Sequence, residues 1–480
     1  MANPDRLTGL DSSFLHLERG ATHMHVAACM IFDGSPPTYE ELAAHVSSRL
    51  HLVPRYRQRL AFVPLGQGRP VWVDDPHFNV GFHLRHTALP RPGGDRELRR
   101  MAGRVFSQGL DRSRPLWELW LVEGLADDRF ALLSKTHHAL VDGISGVDIV
   151  TVLFDATPAT ETTASPEDDW VARPPPSDAQ LLAGALLERT TVPAEIVRGV
   201  RATLRGPRRV GDRLARMLVG VGAVARLGLR AAPASSLNVR IGPHRRFTWV
   251  RDDLARFKAI KDARGTTVND VVLACVAGAL GAYLGDRGEV APDTVLRAMV
   301  PISVRLEVER GALGNRVAAM WAPLPIGLAD PLARLEEIRR SMAGIKESGQ
   351  AVGAGVLTEL TGFAPPTILA QAARLQARQR LFNVVVTNVP GPQLPLFVLG
   401  RRLNTLCPMV PLAANQALGI AVISYDGQMT FGLNGDYDAL PDLEALAGDL
   451  NGAITELASA AGVGGRRRST RARAVARVAE

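Results

Sequence analysis

Apolar and polar positions change period several times along this chain, and the changes mark out its elements. Residues 25–32 (HVAACMIF), 71–73 and 129–136 are short apolar or mixed runs of strand type, whereas residues 95–108 read as a helix. A polar stretch at 156–178, Thr-rich and acidic and then broken by Pro174, Pro175 and Pro176, has the composition of a linker. The helical period returns beyond it. Val210, Leu214, Met217, Leu218, Val221, Val224 and Leu227 recur mostly three or four residues apart, the pattern of an amphipathic helix too short in its uncharged core to span a bilayer. From about residue 240 a second mixed section follows. Residues 268–284 predict a buried helix rich in small side chains, 295–304 a strand, 332–347 an amphipathic helix and 382–389 a strand. Residues 417–425 and 428–433 predict a hairpin across Asp426-Gly427, a dipeptide suited to tight turns.

The pattern is α/β, and 480 residues exceed what one compact core organises. We therefore expect an N-terminal half over residues 1–160, a linker and basic helical connection over 161–239, a C-terminal half over 240–462, and a basic, disordered tail over 463–480. Residues 381–400 and 403–425 are uncharged and long enough to span a membrane, but their prolines, asparagines and Gln416 would leave backbone groups unsatisfied in lipid. Buried strands are the expectation there.

Composition narrows the class. With 46% hydrophobic and 22% charged residues the chain is not disordered as a whole. Cys29, Cys275 and Cys407 lie far apart, which argues against a disulfide framework or a zinc site and suits a reducing cytosol. The first residues lack the apolar run of a signal peptide, so a cytoplasmic location is expected. The net charge of +8 is unevenly spread: residues 189–246 carry thirteen Arg against two acids, residues 466–480 six Arg against one Glu, and the remainder is net acidic. Such segments suit anionic lipid headgroups, nucleic acid or cofactor phosphates, or simply form a solvated helix face.

One segment carries chemistry. A strand over 129–138 ends at His137-His138, a turn holds Asp142 and Gly143, and apolar residues at helical spacing follow at 144–154. Strand ends feeding such turns are where α/β folds present functional groups. A neutral imidazole takes a proton from an alcohol near neutral pH. Successive strand residues face opposite ways, so one histidine faces a site and the other packs. Asp142 reads as a brace. Ser145 lacks the spacing of a nucleophile elbow, and His23 and His25 have no carboxylate cluster to make a metal site.

The segment HHALVDG matches the HHxxxDG signature of acyl-CoA-dependent acyltransferases built like chloramphenicol acetyltransferase, a signature shared with condensation domains. With LTGLDSSFL (7–15), DRSRPLWE (111–118), TVNDVVLA (267–274), PISVR (301–305) and NVVVTNVPGP (383–392) in order, residues 5–460 resemble the bacterial wax ester synthase/acyl-CoA:diacylglycerol acyltransferase family. The resemblance implies two acetyltransferase-like halves with mixed sheets packed face to face and an active-site tunnel between them. It implies His138 as general base, with His137, Asp142 and the turn at Gly143 holding the site. Asn269 and Asn388 are candidate oxyanion donors, though Asn269 and Asp270 equally suit a helix cap. Trp117 of the Pro-Leu-Trp segment is a packing residue or an acyl-channel wall. Asp270 and Arg305 are further substrate-side candidates, Arg305 also as a partner for Asp142. The implied substrates are acyl-CoA with diacylglycerol or a fatty alcohol, with no permanently bound cofactor or metal, no nucleic acid, and an anionic membrane or lipid-body surface as partner.

Overall fold

The computed structural model describes residues 5–141, 152–159, 170–187, 231–303, 317–347 and 381–463. The predicted Arg-rich helix, the basic tail from 464, residues 144–151 of the helix expected over 144–154 and the turn holding Asp142 and Gly143 lie outside these residues, as does Arg305.

The chain opens with α1 (Gly9–Leu17), β1 (His25–Asp33) and α2 (Tyr39–Arg49). The small hairpin β2 (Gln58–Ala61) and β3 (Val71–Asp74), then α3 (Val80–His83) and β4 (Leu84–Ala88), follow. After them come α4 (Asp95–Phe106), β5 (Trp117–Leu125), β6 (Arg129–His137) and α5 (His138–Val141). Beyond the linker stands α6 (Asp178–Leu187). The second half runs β7 (Arg245–Asp253), α7 (Leu254–Arg264), α8 (Val268–Gly285), β8 (Leu296–Ser303), β9 (Val317–Leu324) and α9 (Pro331–Glu347). It continues with β10 (Val384–Pro390), β11 (Phe397–Val398), β12 (Arg401–Met409), β13 (Leu418–Tyr425), β14 (Gln428–Asp436) and α10 (Leu443–Ala460).

Two six-stranded sheets organise these elements, one in the order β11-β12-β1-β6-β5-β4 and the other β7-β14-β13-β10-β8-β9. Both are mixed, since β4 runs parallel to β5 and β10 runs parallel to both β8 and β13 while the other pairs are antiparallel. The unbroken apolar run in β1 has a simple cause. Met30 and Phe32 point into the core under α2, while Ala27, Cys29 and Ile31 point into a second core shared with α4, Phe247 and Trp249 of β7, and Cys407 and Met409 of β12. A strand buried on both faces cannot alternate. That shared core joins the halves: Phe106 meets Phe247 edge-to-face at 5.1 Å. Each such side chain removed from water stabilises the fold by about 1.5–3 kcal/mol. Helix α8, the one described helix long and apolar enough to cross a membrane, is instead the buried centre of the C-terminal core.

The expected boundaries need one correction. Residues 397–409 were assigned to the C-terminal half, yet β11 and β12 complete the N-terminal sheet, where β12 pairs antiparallel with β1. The strand returns because Leu403, Leu406 and Val398 fill the N-terminal core and Cys407 and Met409 fill the shared one. The predicted hairpin at Asp426-Gly427 forms between β13 and β14, with both turn residues at positive φ (42° and 78°).

The sheets meet where β12 crosses β14. A Cβ at Gly432 would lie 1.7 Å from the Pro408 carbonyl oxygen, so only glycine admits that approach. Gly432→Ala is therefore expected to cost about 3 kcal/mol or more of unfolding free energy. Urea unfolding of the variant checks this, and native-like stability would show that the junction yields.

Candidate active site

The histidine pair sits where β6 stops. His137 N–H donates to Leu116 O at 2.9 Å and His138 N–H to Met24 O at 2.8 Å, so the flanking chains hold the strand end from both sides. Side chain and backbone then turn the chain together. Ala139 N–H donates to His137 Nδ1 at 3.1 Å; β6 stops one residue before the strand end that the sequence suggests, and α5 starts at His138. With Nδ1 accepting, the His137 ring proton resides on Nε2, which faces Glu18 Oε2 at 3.3 Å. His137 is sealed from solvent. His138 is half-buried, its ring stacked on Phe14 with centroids 4.0 Å apart. The sequence expectation of one packed and one presented histidine describes this arrangement.

Phe14 is delivered by α1, and the LTGLDSSFL segment explains why that helix forms. Thr8 caps it by accepting from Asp11 N–H at 3.1 Å, and the Thr8 hydroxyl donates to Asp11 Oδ2 at 2.6 Å. Directly after the helix stands Glu18, which the sequence reading overlooked. Arg112 donates to its Oε2 from Nε (3.1 Å) and Nη2 (2.6 Å), Met24 N–H reaches Oε1 at 3.4 Å, and His23 Nδ1 lies 3.7 Å from Oε1. Burial raises the Glu18 pKa, but its contacts with His137, His23 and Arg112 outweigh that and hold the carboxyl well below the usual carboxylate range. A second buried pair lies alongside: Lys135 Nζ is 3.2 Å from Glu118 Oε2, directly across β5 and β6, and donates to Gln108 O at 3.0 Å. His25, opposite His137 in the register, bonds the Phe106 carbonyl, and burial pushes its imidazole well below the ordinary value.

The second cluster comes from the other half. Asn388 Nδ2 donates to Asn269 Oδ1 at 3.5 Å, joining the end of β10 to the start of α8. Asn269 is not the helix cap. Thr267 holds that position, accepting from Asp270 N–H at 3.2 Å, while Asp270 Oδ2 takes the Thr267 N–H (2.9 Å) and hydroxyl (2.7 Å). A register line connects the clusters across the sheet junction. Thr387 pairs with Ala421, Ala421 with Gly432, Gly432 lies under the Pro408 carbonyl, and Pro408 pairs with Ala28, which pairs with Ser134 of β6.

This two-part arrangement has known counterparts. Residues 7–272 match the wax ester synthase/diacylglycerol acyltransferase catalytic domain, and residues 313–458 match the WS/DGAT C-terminal domain. The chain belongs to the WS/DGAT family. It is 32% identical over 473 residues to the probable diacylglycerol O-acyltransferase tgs1 of Mycobacterium tuberculosis (strain ATCC 25618 / H37Rv), covering 98% of each chain. Identity is 34% to tgs2 of the same strain, over 94% of this chain and 98% of that one. Among solved structures, the WS/DGAT of Marinobacter aquaeolei VT8 is similar at 31% identity and TM-score 0.65, over 95% of this chain and 100% of that one. The starter condensation domain of rhizomide synthetase shares the fold alone, at 14% identity and TM-score 0.59 over 95% and 94%.

The protein is thus an acyltransferase of the WS/DGAT type, and the family's catalytic-domain match runs past the linker to include Asn269. Two sequence alternatives narrow in this WS/DGAT chain. Asp270, offered as part of a helix cap or as a substrate contact, is buried and commits its Oδ2 to the α8 cap. Trp117 is 1% exposed, stacks on His83 at 4.6 Å and donates Nε1–H to Tyr56 O at 2.8 Å, so it packs the N-terminal core rather than lining an open channel. Glu18 and Arg112 were the missed residues. Arg112 is one of four charged residues in the 111–118 segment and Glu18 stands three residues past Leu15, so neither carried a local signal.

A carboxyl with a depressed folded-state pKa contributes stability that is present above its ordinary value of 4.5 and lost progressively as pH falls from there through the depressed value. Glu18→Gln should lower stability at neutral pH by about 3 kcal/mol. It should also flatten the loss of stability that the native chain shows below about pH 5. Urea unfolding across a pH series reads both effects, and an unchanged acid limb would refute the assignment.

Proposed function

We propose that this enzyme moves a long-chain acyl group from acyl-CoA to the hydroxyl of diacylglycerol, and also to long-chain alcohols, by direct attack with His138 as general base. The observation that carries this reading is the division of labour at the end of β6. One imidazole accepts from an amide and faces a largely buried carboxylate, and its neighbour stacks on an aromatic ring. His138 takes the proton of the acceptor hydroxyl as its oxygen bonds to the thioester carbonyl carbon. The tetrahedral oxyanion collapses with cleavage of the carbon–sulfur bond, and the CoA thiolate recovers the proton from the imidazolium. Asn388 and Asn269 are the proposed oxyanion donors. One Asn388 N–H is spent on its partner, and the remaining amide hydrogens stay available.

The thiols support direct transfer over an acyl-cysteine. All three are buried, and burial pushes each thiol well above the ordinary cysteine value, so none offers a thiolate. Relatives named as diacylglycerol O-acyltransferases support the acceptor class. Because both acceptors reside in lipid, we place the enzyme on the cytoplasmic face of the membrane or on lipid bodies. Asp142 and Gly143 remain candidates for holding the site, as the family motif implies, and Arg305 a candidate partner for Asp142; all three lie outside the described residues.

With radiolabelled acyl-CoA and diacylglycerol, His138→Ala should lose about 10²–10⁴-fold in transfer rate while retaining a native circular dichroism spectrum. Full transfer by that variant would refute the base. Asn388→Ala should lower kcat by about 10²–10³-fold with KM little changed, and a defect confined to KM would assign Asn388 to ground-state binding instead.

A further inference from the structure

The peptide groups on both sides of the His138 Cα lead back to one carboxylate. Beyond it, Ala139 N–H donates to His137 Nδ1 at 3.1 Å, and the opposite ring nitrogen of His137 faces Glu18 Oε2 at 3.3 Å. Before it, His138 N–H donates to Met24 O at 2.8 Å, and Met24 N–H donates to Glu18 Oε1 at 3.4 Å. Each oxygen of Glu18 therefore holds one of the two amides that set the His138 backbone. One tie runs through an imidazole and the other through a single backbone residue.

The His138 ring has a third tie. It stacks on Phe14 with centroids 4.0 Å apart, and Phe14 stands in the second half of α1. Arg112 closes that end of the helix. Its Nη2 donates to Leu15 O at 3.0 Å and to Glu18 O at 3.4 Å, carbonyls that the terminating helix leaves without partners of its own. The same guanidinium grips Glu18 Oε2 from Nε at 3.1 Å and Nη2 at 2.6 Å. A planar fork of donors can serve carboxylate and helix end together, whereas an ammonium group is a point charge on a flexible stem.

We propose that Glu18 and Arg112 are positioning residues for the transfer reaction. Acting through His137, Met24 and α1, they hold the backbone and ring of His138 where its imidazole takes the acceptor proton. A misplacement of about 1 Å can cost about 10²-fold in rate, and a clamp on both flanking amides and on the stacking helix resists it. This rests on the reading of His138 as general base.

Steady-state transfer from acyl-CoA to diacylglycerol, with the folded fraction of each sample read by circular dichroism, tests it. Glu18→Gln removes the charge from both ties, and kcat per folded molecule should fall about tenfold to hundredfold with the KM for acyl-CoA unchanged. Arg112→Lys keeps the positive charge but loses the fork, and should show the same split with a fall of about tenfold. A merely structural role would lower the folded fraction and leave kcat per folded molecule native-like. That result in Arg112→Lys overturns the proposal even where Glu18→Gln does not fold. Combination with His138→Ala gives a second readout. Because the pair acts through His138, Arg112→Lys should leave the residual rate of His138→Ala where it is, and an equal fall in that background also overturns the proposal. Full transfer by His138→Ala alone refutes the base instead, so the two failures are told apart.

Discussion

Glu18 is a carboxylate taken out of water, and much of the catalytic half depends on how that charge is satisfied. A buried ion without partners costs several kcal/mol, and losing one partner of such a pair costs nearly as much. Here Arg112 supplies two N–H donors, Met24 an amide, and His137 its remaining ring nitrogen. These groups come from the segment before β1, the loop before β5 and the end of β6, so one side chain fixes three approaches to one point. Its hold on His137 is complete because the other ring nitrogen accepts from Ala139. The immobilised ring ends the strand, and the chain turns into α5 with His138 on the partly open side against Phe14.

The second constraint is the contact between the sheets. β12 leaves the C-terminal half to become the partner of β1, and its Pro408 carbonyl rests on the Cα of Gly432. A strand shared in this way makes the relation between the halves a matter of hydrogen-bond register and not of surface adhesion alone. Arg245 strengthens the same seam. Its amide N–H donates to Ser107 Oγ at 2.8 Å, and its guanidinium donates to Ala21 O at 2.5 Å, just ahead of the strand that pairs with His137. Catalysis by groups from two halves needs positions held to a fraction of an ångström, and a buried seam of this kind supplies that rigidity.

Much of this was legible in the sequence because it depends on local pattern. The α8 helix and the β13–β14 turn at Asp426-Gly427 follow from period and turn chemistry. The motifs gave the family and, through it, the two-part fold. What stayed hidden depends on contacts between residues distant in sequence. The return of β12 to the first sheet has no local signature, since an apolar strand fits either sheet. Glu18 and Arg112 lie 94 positions apart and show their roles only when folded together. Asn269 and Asp270 are adjacent and chemically alike, and only the capping geometry at Thr267 separates their roles.

The central claim is that one reaction centre is formed from His138 on one half and the Asn269–Asn388 pair on the other. Its most direct test is a crystal structure of the protein with a non-hydrolysable 2-oxoalkyl thioether analogue of acyl-CoA, in which a ketone stands for the thioester carbonyl. The account predicts the carbon that stands in for the thioester carbonyl within reach of the His138 imidazole, with its oxygen-side face turned toward Asn388 and Asn269. An analogue bound with that carbon remote from either group would contradict it.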